Sequence, residues 1–227
     1  MCSLGEREPK AKREPSDTYP LCGFYLHKNR NGKEVWIFVS VAATLYEKIY
    51  GLSSSILSAP EDWRHALTLA GVMRWFAEFR GFTAMADVWA AAGLARRAGI
   101  DGKTLCQAGL DEDVARLVRR ENVADADAQA PLTAEEQLGC LVVTLDHLSA
   151  LVVAAAATRP KGSVKDMKVS AVQKKFKDKK FAPEVSRMTI LQGARRMRWE
   201  IGDLTSKTIK AVLSCEEEVR DAARKTA

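Results

Sequence analysis

The sequence predicts a mainly α-helical protein: a helical bundle with a short β-hairpin near its start and a helical extension at its end. Two observations lead to this prediction. Apolar residues recur at spacings of three and four in several long segments, and only one pair of β-prone runs occurs. With 227 residues, 47% of them hydrophobic, the chain can bury a sizeable core. We expect a flexible charged arm at 1–20, the bundle with its hairpin at 21–183, and the extension at 184–227.

The hairpin prediction depends on the segment 24–39. Two runs rich in aromatic and β-branched residues flank a short polar stretch from Asn29 to Gly32, which ends in Asn-Gly. Because tight hairpin turns need left-handed backbone conformations, and Asn-Gly adopts them readily, this is a strong local hairpin signal. We expect it to be the only sheet in the chain.

Residues at helix ends define the first three predicted helices. Ser40 is a suitable cap for a helix over 41–50, and the Gly-Ser-rich run 51–55 is expected to break it. The next two helices start at a proline followed by two acids and at a capping threonine, and each of them ends at a glycine. They are expected to run from Pro60 to Gly81 and from Thr83 to Gly99.

The clearest helical pattern follows Thr133. Thr133 and Glu136 form a capping box, and the helix is expected to continue to Ala157. One side of this helix is apolar and should face the core. The residues of that stripe are Leu138, Leu141, Val142, Leu145, Leu148 and Val152. Two further amphipathic helices are expected at about 187–199 and 205–224.

Two stretches of the chain are strongly basic. Arg116, Arg119 and Arg120 lie within five residues and precede Glu121 and Asn122. Spacings of three and four put such arginines on one helical face, where phosphate oxygens suit their forked donors. Ordinary ion pairs at a solvated helix end are the competing interpretation. The second stretch has nine cations against two aspartates and few aromatic residues. Its cations are Arg159, Lys161, Lys165, Lys168, Lys174, Lys175, Lys177, Lys179 and Lys180.

Few residue patterns point to catalysis. His27, His65 and His147 are far apart in the sequence, and no glycine-rich phosphate loop or nucleophile elbow occurs. The five cysteines are scattered without a C-x-x-C pair, which indicates neither a zinc site nor a disulfide framework. We therefore expect a protein that is not an enzyme, with no catalytic residues, no metal and no cofactor.

The overall charge permits an anionic partner, and no segment predicts a membrane span. The net charge is +6 with a pI near 9.1. The N-terminal region is charged where a signal peptide would be apolar. The longest charge-free apolar run, 148–158, is too short to cross a bilayer. We expect no membrane partner.

Three short stretches resemble the coat proteins of the benyviruses. The best match centres on 118–123, where those coats have Asp in place of Glu121. The matching residues are Thr104, Leu105, Gly109, Leu110 and 118–123, then 175–179 with Pro183, and also Trp36, Val39 and Ser40. The resemblance covers roughly 36–183, and none of the matches is a catalytic signature.

The resemblance implies a tobacco-mosaic-like coat, an antiparallel four-helix bundle laid radially in a rod. Its Arg-Arg-acid element lies at low radius beside the RNA and falls on Arg119 and Arg120. Arg96 and Arg97 precede that element by 23 residues, close to where tobamovirus coats also place arginines. The matching lysine element, 175–179, lies at the far, high-radius end in that family.

The expected function is therefore that of a viral coat protein, located in the virion and the host cytoplasm. It would polymerise into a helical rod or filament and package single-stranded RNA. Arg119 and Arg120 would neutralise phosphates, Arg116, Arg96 and Arg97 would assist, and Asn122 would contact a base edge. Its partners would be RNA and further copies of itself.

The chain departs from the family in its N-terminal arm and hairpin, its missing Arg-Phe-Pro element and its extension past Pro183. Two rival interpretations stay open. One is a non-coat RNA-binding subunit of a ribonucleoprotein assembly, in which the lysine-rich stretch binds RNA. The other is a helical enzyme with an unrecognised site.

Overall fold

The computed structural model describes residues 24–28, 34–107, 132 and 134–225. These residues form a mainly helical protein, as the periodicity of the sequence predicts, and they include eight α-helices. A 3₁₀ turn, Thr83–Met85, precedes the third helix. The helices are α1 (Val39–Ile56), α2 (Pro60–Phe79), α3 (Ala86–Ala98), α4 (Gly102–Gln107), α5 (Ala134–Ala157), α6 (Val169–Lys177), α7 (Arg187–Arg196) and α8 (Ile201–Lys225).

Two short strands precede the helices. The strands, β1 (Phe24–Lys28) and β2 (Glu34–Phe38), pair antiparallel, with Phe24 opposite Phe38. The residues between them, and the arm predicted at 1–20, lie outside the described residues. The hairpin turn and the arm therefore stay predictions.

The helices pack as a bundle around α2 and α5. Helix α2 contacts α3, α5 and α8, while α5 also contacts α3, α6, α7 and α8. The predicted apolar stripe of α5 is confirmed, because all six of its residues are buried. By length and composition, Glu136–Ala157 is apolar enough to span a membrane, with a mean hydropathy of 2.0. Most of this segment is buried inside the bundle, as the central helix of a folded core would be.

Two glycines allow helices to approach closely. A Cβ on Gly71 of α2 would lie 2.6 Å from Cβ of Cys215 on α8, nearer than side-chain atoms come. A Cβ on Gly193 of α7 would collide with the side chain of Thr144 on α5. These contacts set α8 against α2, and they set the second half of α7 against the middle of α5.

The first helix is longer than predicted. Helix α1 contains Ser40 and continues through 51–55 to Ile56, so Ser40 is not its cap and the predicted break was wrong. The hydroxyls of Ser53, Ser54 and Ser55 donate to the carbonyls of Ile49, Gly51 and Leu52 at 2.7 Å. Serines that bond to their own helix in this way are compatible with its interior.

The extension predicted after residue 183 contains helices α7 and α8, which pack within the bundle. Helix α8 packs against α2, α5 and α6, with Leu204, Thr208 and Ala211 fully buried. Its amphipathic pattern was visible in the sequence. The pattern could not tell whether the apolar face would meet this bundle or another copy of the chain.

Candidate nucleic-acid interface

The predicted RNA-binding residues divide into two groups. Arg116, Arg119, Arg120 and Asn122 lie outside the described residues, so their role stays a prediction. Arg96 and Arg97 occupy the last turn of α3. Gly99 ends that helix in the left-handed conformation, with φ of 65°, as its sequence position predicts.

Both described arginines pair with one carboxylate. The Nε atom of Arg96 donates to Oδ2 of Asp146 at 3.0 Å. The Nε atom of Arg97 lies 2.6 Å from Oδ1 of the same residue. The second contact is an ion pair whose N–H is not aligned with the oxygen, so charge attraction rather than a directed hydrogen bond holds it.

Asp146 lies in the buried wall of α5, where a carboxylate needs partners. Its exposed fraction is 8%, and an unpaired charge at such a place would be costly. The side chains of Arg96 and Arg97 are 30% and 32% exposed. Two guanidiniums therefore meet one carboxylate, and these three groups together carry a net charge of +1 at a partly exposed position.

The outer ends of both arginines have no partner in the described part of the chain. Within the part of the chain that the structure describes, the terminal nitrogens of Arg96 and Arg97 make no hydrogen bond. Asp146 contacts only the Nε atom of each guanidinium. An anion outside the bundle could therefore use donors that remain, and phosphate oxygens match that forked geometry.

Two histidines adjoin this cluster. Burial lowers the pKa of His147 below its ordinary 6.5; the nearby arginines add to this effect and Asp146 opposes it. Burial also lowers the pKa of His65, on α2, and Arg97 adds to that effect. Both imidazoles are therefore neutral near pH 7, so the charge of the cluster comes from the arginines and Asp146.

His147 connects the arginine cluster to the start of α7. The backbone N–H of Ser186 donates to Nδ1 of His147 at 3.2 Å. The Ser186 hydroxyl oxygen accepts the N–H of Thr189 and thus caps α7. The end of α3, the middle of α5 and the start of α7 therefore meet at one place.

The next residue, Arg187, organises the loop that leads into α7. Its guanidinium donates to the carbonyls of Ala182 and Val185 at 2.5 and 2.8 Å, and to that of Asp178 at 3.2 Å. It also donates to the carbonyl of Phe181. A side chain that bonds four carbonyls cannot serve an incoming ligand as well, but it holds the loop 178–185 in one shape.

The lysine-rich stretch lies beside this loop and at the protein surface. Its lysines are exposed except for Lys175, whose Nζ lies 4.3 Å from the ring centroid of Phe181. Among the described residues, none of the lysines of this stretch forms an ion pair. The stretch includes helix α6, which was not predicted, although its apolar residues Val169, Val172 and Phe176 have helical spacing.

Asp146 is the residue of this candidate site that sequence reasoning missed. The signal was present, since it is a lone acid inside the apolar pattern of α5, and such a residue needs a buried partner. No group of three His, Cys, Asp or Glu side chains that could hold a metal occurs in the described part of the chain. No family model, no curated protein and no solved structure matches this chain.

Proposed function

We propose that this protein is a coat protein that polymerises into a helical rod or filament and packages single-stranded RNA through phosphate contacts. The observation that carries the proposal is the pair of open guanidiniums on α3. Asp146 holds Arg96 and Arg97 by their Nε side, and their terminal donors remain unused within the described residues. The helical bundle and the resemblance of 118–123 to benyvirus coats support the same function.

The arginine pair suits a ligand recognised by its backbone rather than by its bases. Packaging must accept every RNA sequence, so contacts to phosphates should dominate. A guanidinium fixed at its inner edge loses little freedom when its outer edge binds a phosphate. In this proposal Arg116, Arg119 and Arg120 extend the phosphate-binding surface, and Asn122 contacts a base edge.

The finer architecture belongs to the same proposal. In this proposal the four helices of the coat bundle are α2, α3, α5 and α8, each of which contacts α2 or α5. In a rod they would lie radially and antiparallel, with the end of α3 turned towards the RNA. Copies would stack head to tail, because a repeated heterologous contact that does not close produces a helical polymer.

The test combines RNA binding with electron microscopy. Arg97→Gln leaves Arg96 to neutralise Asp146, so the fold should survive. We expect the slope of log affinity against log salt to fall by about 0.7, the value for one lost phosphate contact on a single strand. The matched control is Arg195→Gln, which removes an exposed arginine on α7.

Negative-stain images of the wild-type protein with RNA should show rods, and those of Arg97→Gln should show fewer. An unchanged salt slope in Arg97→Gln would contradict the arginine site. A monodisperse small particle with bound RNA would contradict polymerisation. That second result would favour the other candidate, a non-coat ribonucleoprotein subunit. Its specific support is that the lysines of 161–180 other than Lys175 are exposed and form no ion pair with other described residues.

A further inference from the structure

Two cavities adjoin one another beside the lysine-rich helix α6. One has a volume of about 420 Å³ and is lined by Phe176, Lys177, Lys179, Pro183 and Leu191, among others. The other has a volume of about 320 Å³ and lies against α8, with Ile201 and Thr205 in its wall. Phe176 and Lys177 line both cavities, and we refer to the two together as the groove.

The wall of this groove is held in place before any ligand arrives. Arg187 lines the larger cavity, and its guanidinium bonds the carbonyls of Asp178, Phe181, Ala182 and Val185. Phe176 is half-buried and packs against the core. A ligand would therefore meet an ordered surface, which reduces the entropy that binding would otherwise cost.

The groove combines an aromatic residue with unpaired cations. Lys177 and Lys179 line its wall, both are exposed, and neither has a carboxylate partner among the described residues. Two acids lie on the same loop, Asp178 and Glu184. An Oδ1 oxygen of Asp178 accepts the backbone N–H of Lys180, so this carboxylate is partly engaged inside the loop. The cations outnumber the acids when Lys174 and Lys180 are included.

We propose that this groove binds single-stranded RNA, with phosphates at Lys177 and Lys179 and a base against Phe176. Aromatic faces and lysines in alternation are what sequence-tolerant binding of single strands requires. Each cavity is large enough for about one nucleotide, since small-molecule sites begin at roughly 300 Å³. An isolated anion would leave the apolar wall of Phe176, Pro183 and Leu191 without a partner, whereas a base would cover it.

The groove adjoins the arginine cluster through two contacts already described. Val185 and Arg187 line the larger cavity, and Ser186 between them donates to His147, which follows Asp146. One strand could therefore contact both places. This inference adds to the proposed function, and it revises what the family resemblance implies, namely that 175–179 lies away from the RNA.

The experiment measures binding of a fluorescein-labelled oligouridylate to the intact chain over a range of salt concentrations. Lys177→Gln/Lys179→Gln should weaken binding at least about tenfold and lower the salt slope by about 1.4, or about 0.7 for each lost contact. Lys161→Gln/Lys165→Gln is the matched control, since both lysines are exposed, form no ion pair with other described residues and lie outside the groove. The control pair should change affinity less than about twofold. Equal losses of RNA affinity in the two double variants would overturn the proposal, because they would reflect only the overall positive charge of the protein.

The aromatic contact is tested separately. Phe176→Leu keeps an apolar side chain, and Phe176→Tyr keeps a ring. The leucine variant should bind roughly 5- to 160-fold more weakly at an unchanged salt slope, as loss of one stacked base would give, while the tyrosine variant should bind like the wild type. Wild-type affinity in both variants would overturn the base contact. The coat function is tested by different measurements, namely rod formation and the salt slope of Arg97→Gln. A negative result there can therefore be distinguished from absence of RNA binding in the groove.

Discussion

The backbone N–H of Ser186 donates to Nδ1 of His147 at 3.2 Å, and this bond joins the start of α7 to the middle of α5. Only a neutral imidazole can accept it, because a protonated Nδ1 is a donor. Burial and the two nearby arginines lower the pKa of His147 in the folded chain. The contact therefore depends on pH, and protonation both breaks it and adds a third positive charge beside Arg96 and Arg97.

Acid should destabilise the protein through His147. Its pKa is lower in the folded state than the value of about 6.5 in the unfolded state, so the unfolded chain binds the proton more tightly. The stabilisation is fully present above the unfolded pKa and is lost as pH falls below about 6.5 towards the folded value. His147→Gln offers an uncharged acceptor to Ser186. In urea denaturation between about pH 5 and 8, the free energy of unfolding of this variant should depend less on pH than that of the wild type.

His65 provides the control for that measurement. Burial lowers its pKa in the same direction, so it adds to the acid sensitivity. The double variant His65→Gln/His147→Gln should be flatter than either single variant. If the stability of His147→Gln depends on pH as strongly as that of the wild type, protonation of His147 does not control stability.

Asp146→Asn should lower stability and strengthen RNA binding. The folded protein would lose the carboxylate that holds Arg96 and Arg97, at a cost of about 1.5–3 kcal/mol for hydrogen bonds to a charged group. At the same time the arginines would lose an anion that competes with phosphate. Chemical denaturation and RNA titration of the same variant measure both effects. Weaker RNA binding by a folded Asp146→Asn protein would show that the carboxylate positions the arginines for RNA.

Leu145→Ala should strongly destabilise the bundle. Leu145 is fully buried on α5, and truncation of such a leucine costs roughly 2–5 kcal/mol through lost burial and the cavity left behind. Leu191→Ala, at a leucine that is 44% exposed, provides the comparison and should cost much less. A change in the free energy of unfolding below about 0.5 kcal/mol is typical of surface positions. Such a small change for Leu145→Ala would contradict its place in the core.

Arg119→Ala/Arg120→Ala should weaken RNA binding without unfolding the chain. Loss of both arginines should lower the salt slope by roughly 1–2, at about 0.7 for each phosphate contact. RNA-filled rods should fail to form, while empty discs or short stacks can persist. Filter binding against log salt, with circular dichroism as the fold control, provides the measurement. An intact fold with an unchanged slope would identify these arginines as ion-pair residues.

The cysteines should differ sharply in reactivity. Burial raises the pKa of the Cys215 thiol to about 12 and also raises that of Cys140, whereas Cys106 is exposed. Because the thiolate is the nucleophile, Cys106 should react with a thiol reagent in the native protein. Cys140 and Cys215 should react only on unfolding. Mass spectrometry of labelled peptides assigns each site, and native labelling of Cys215 would show that α8 separates from α2.

The sequence by itself determined the fold class and most helix positions. Periodicity within one helix depends on that helix alone, so the apolar stripe of α5 and the starts of α2 and α7 were predictable. The errors fell where local signals compete. In α1, Ser53 and its neighbours bond to their own helix, whereas the same residues in another context would end it.

Only the tertiary structure decided which elements meet. Arg96 and Asp146 are 50 residues apart, and nothing in either local pattern could pair them. The same holds for Ser186 with His147, and for Gly71 with Cys215, which places α8 in the bundle rather than on its surface. The physical reason is that an apolar face or a buried charge requires a partner but does not specify which distant segment supplies it; packing of the whole chain makes that choice.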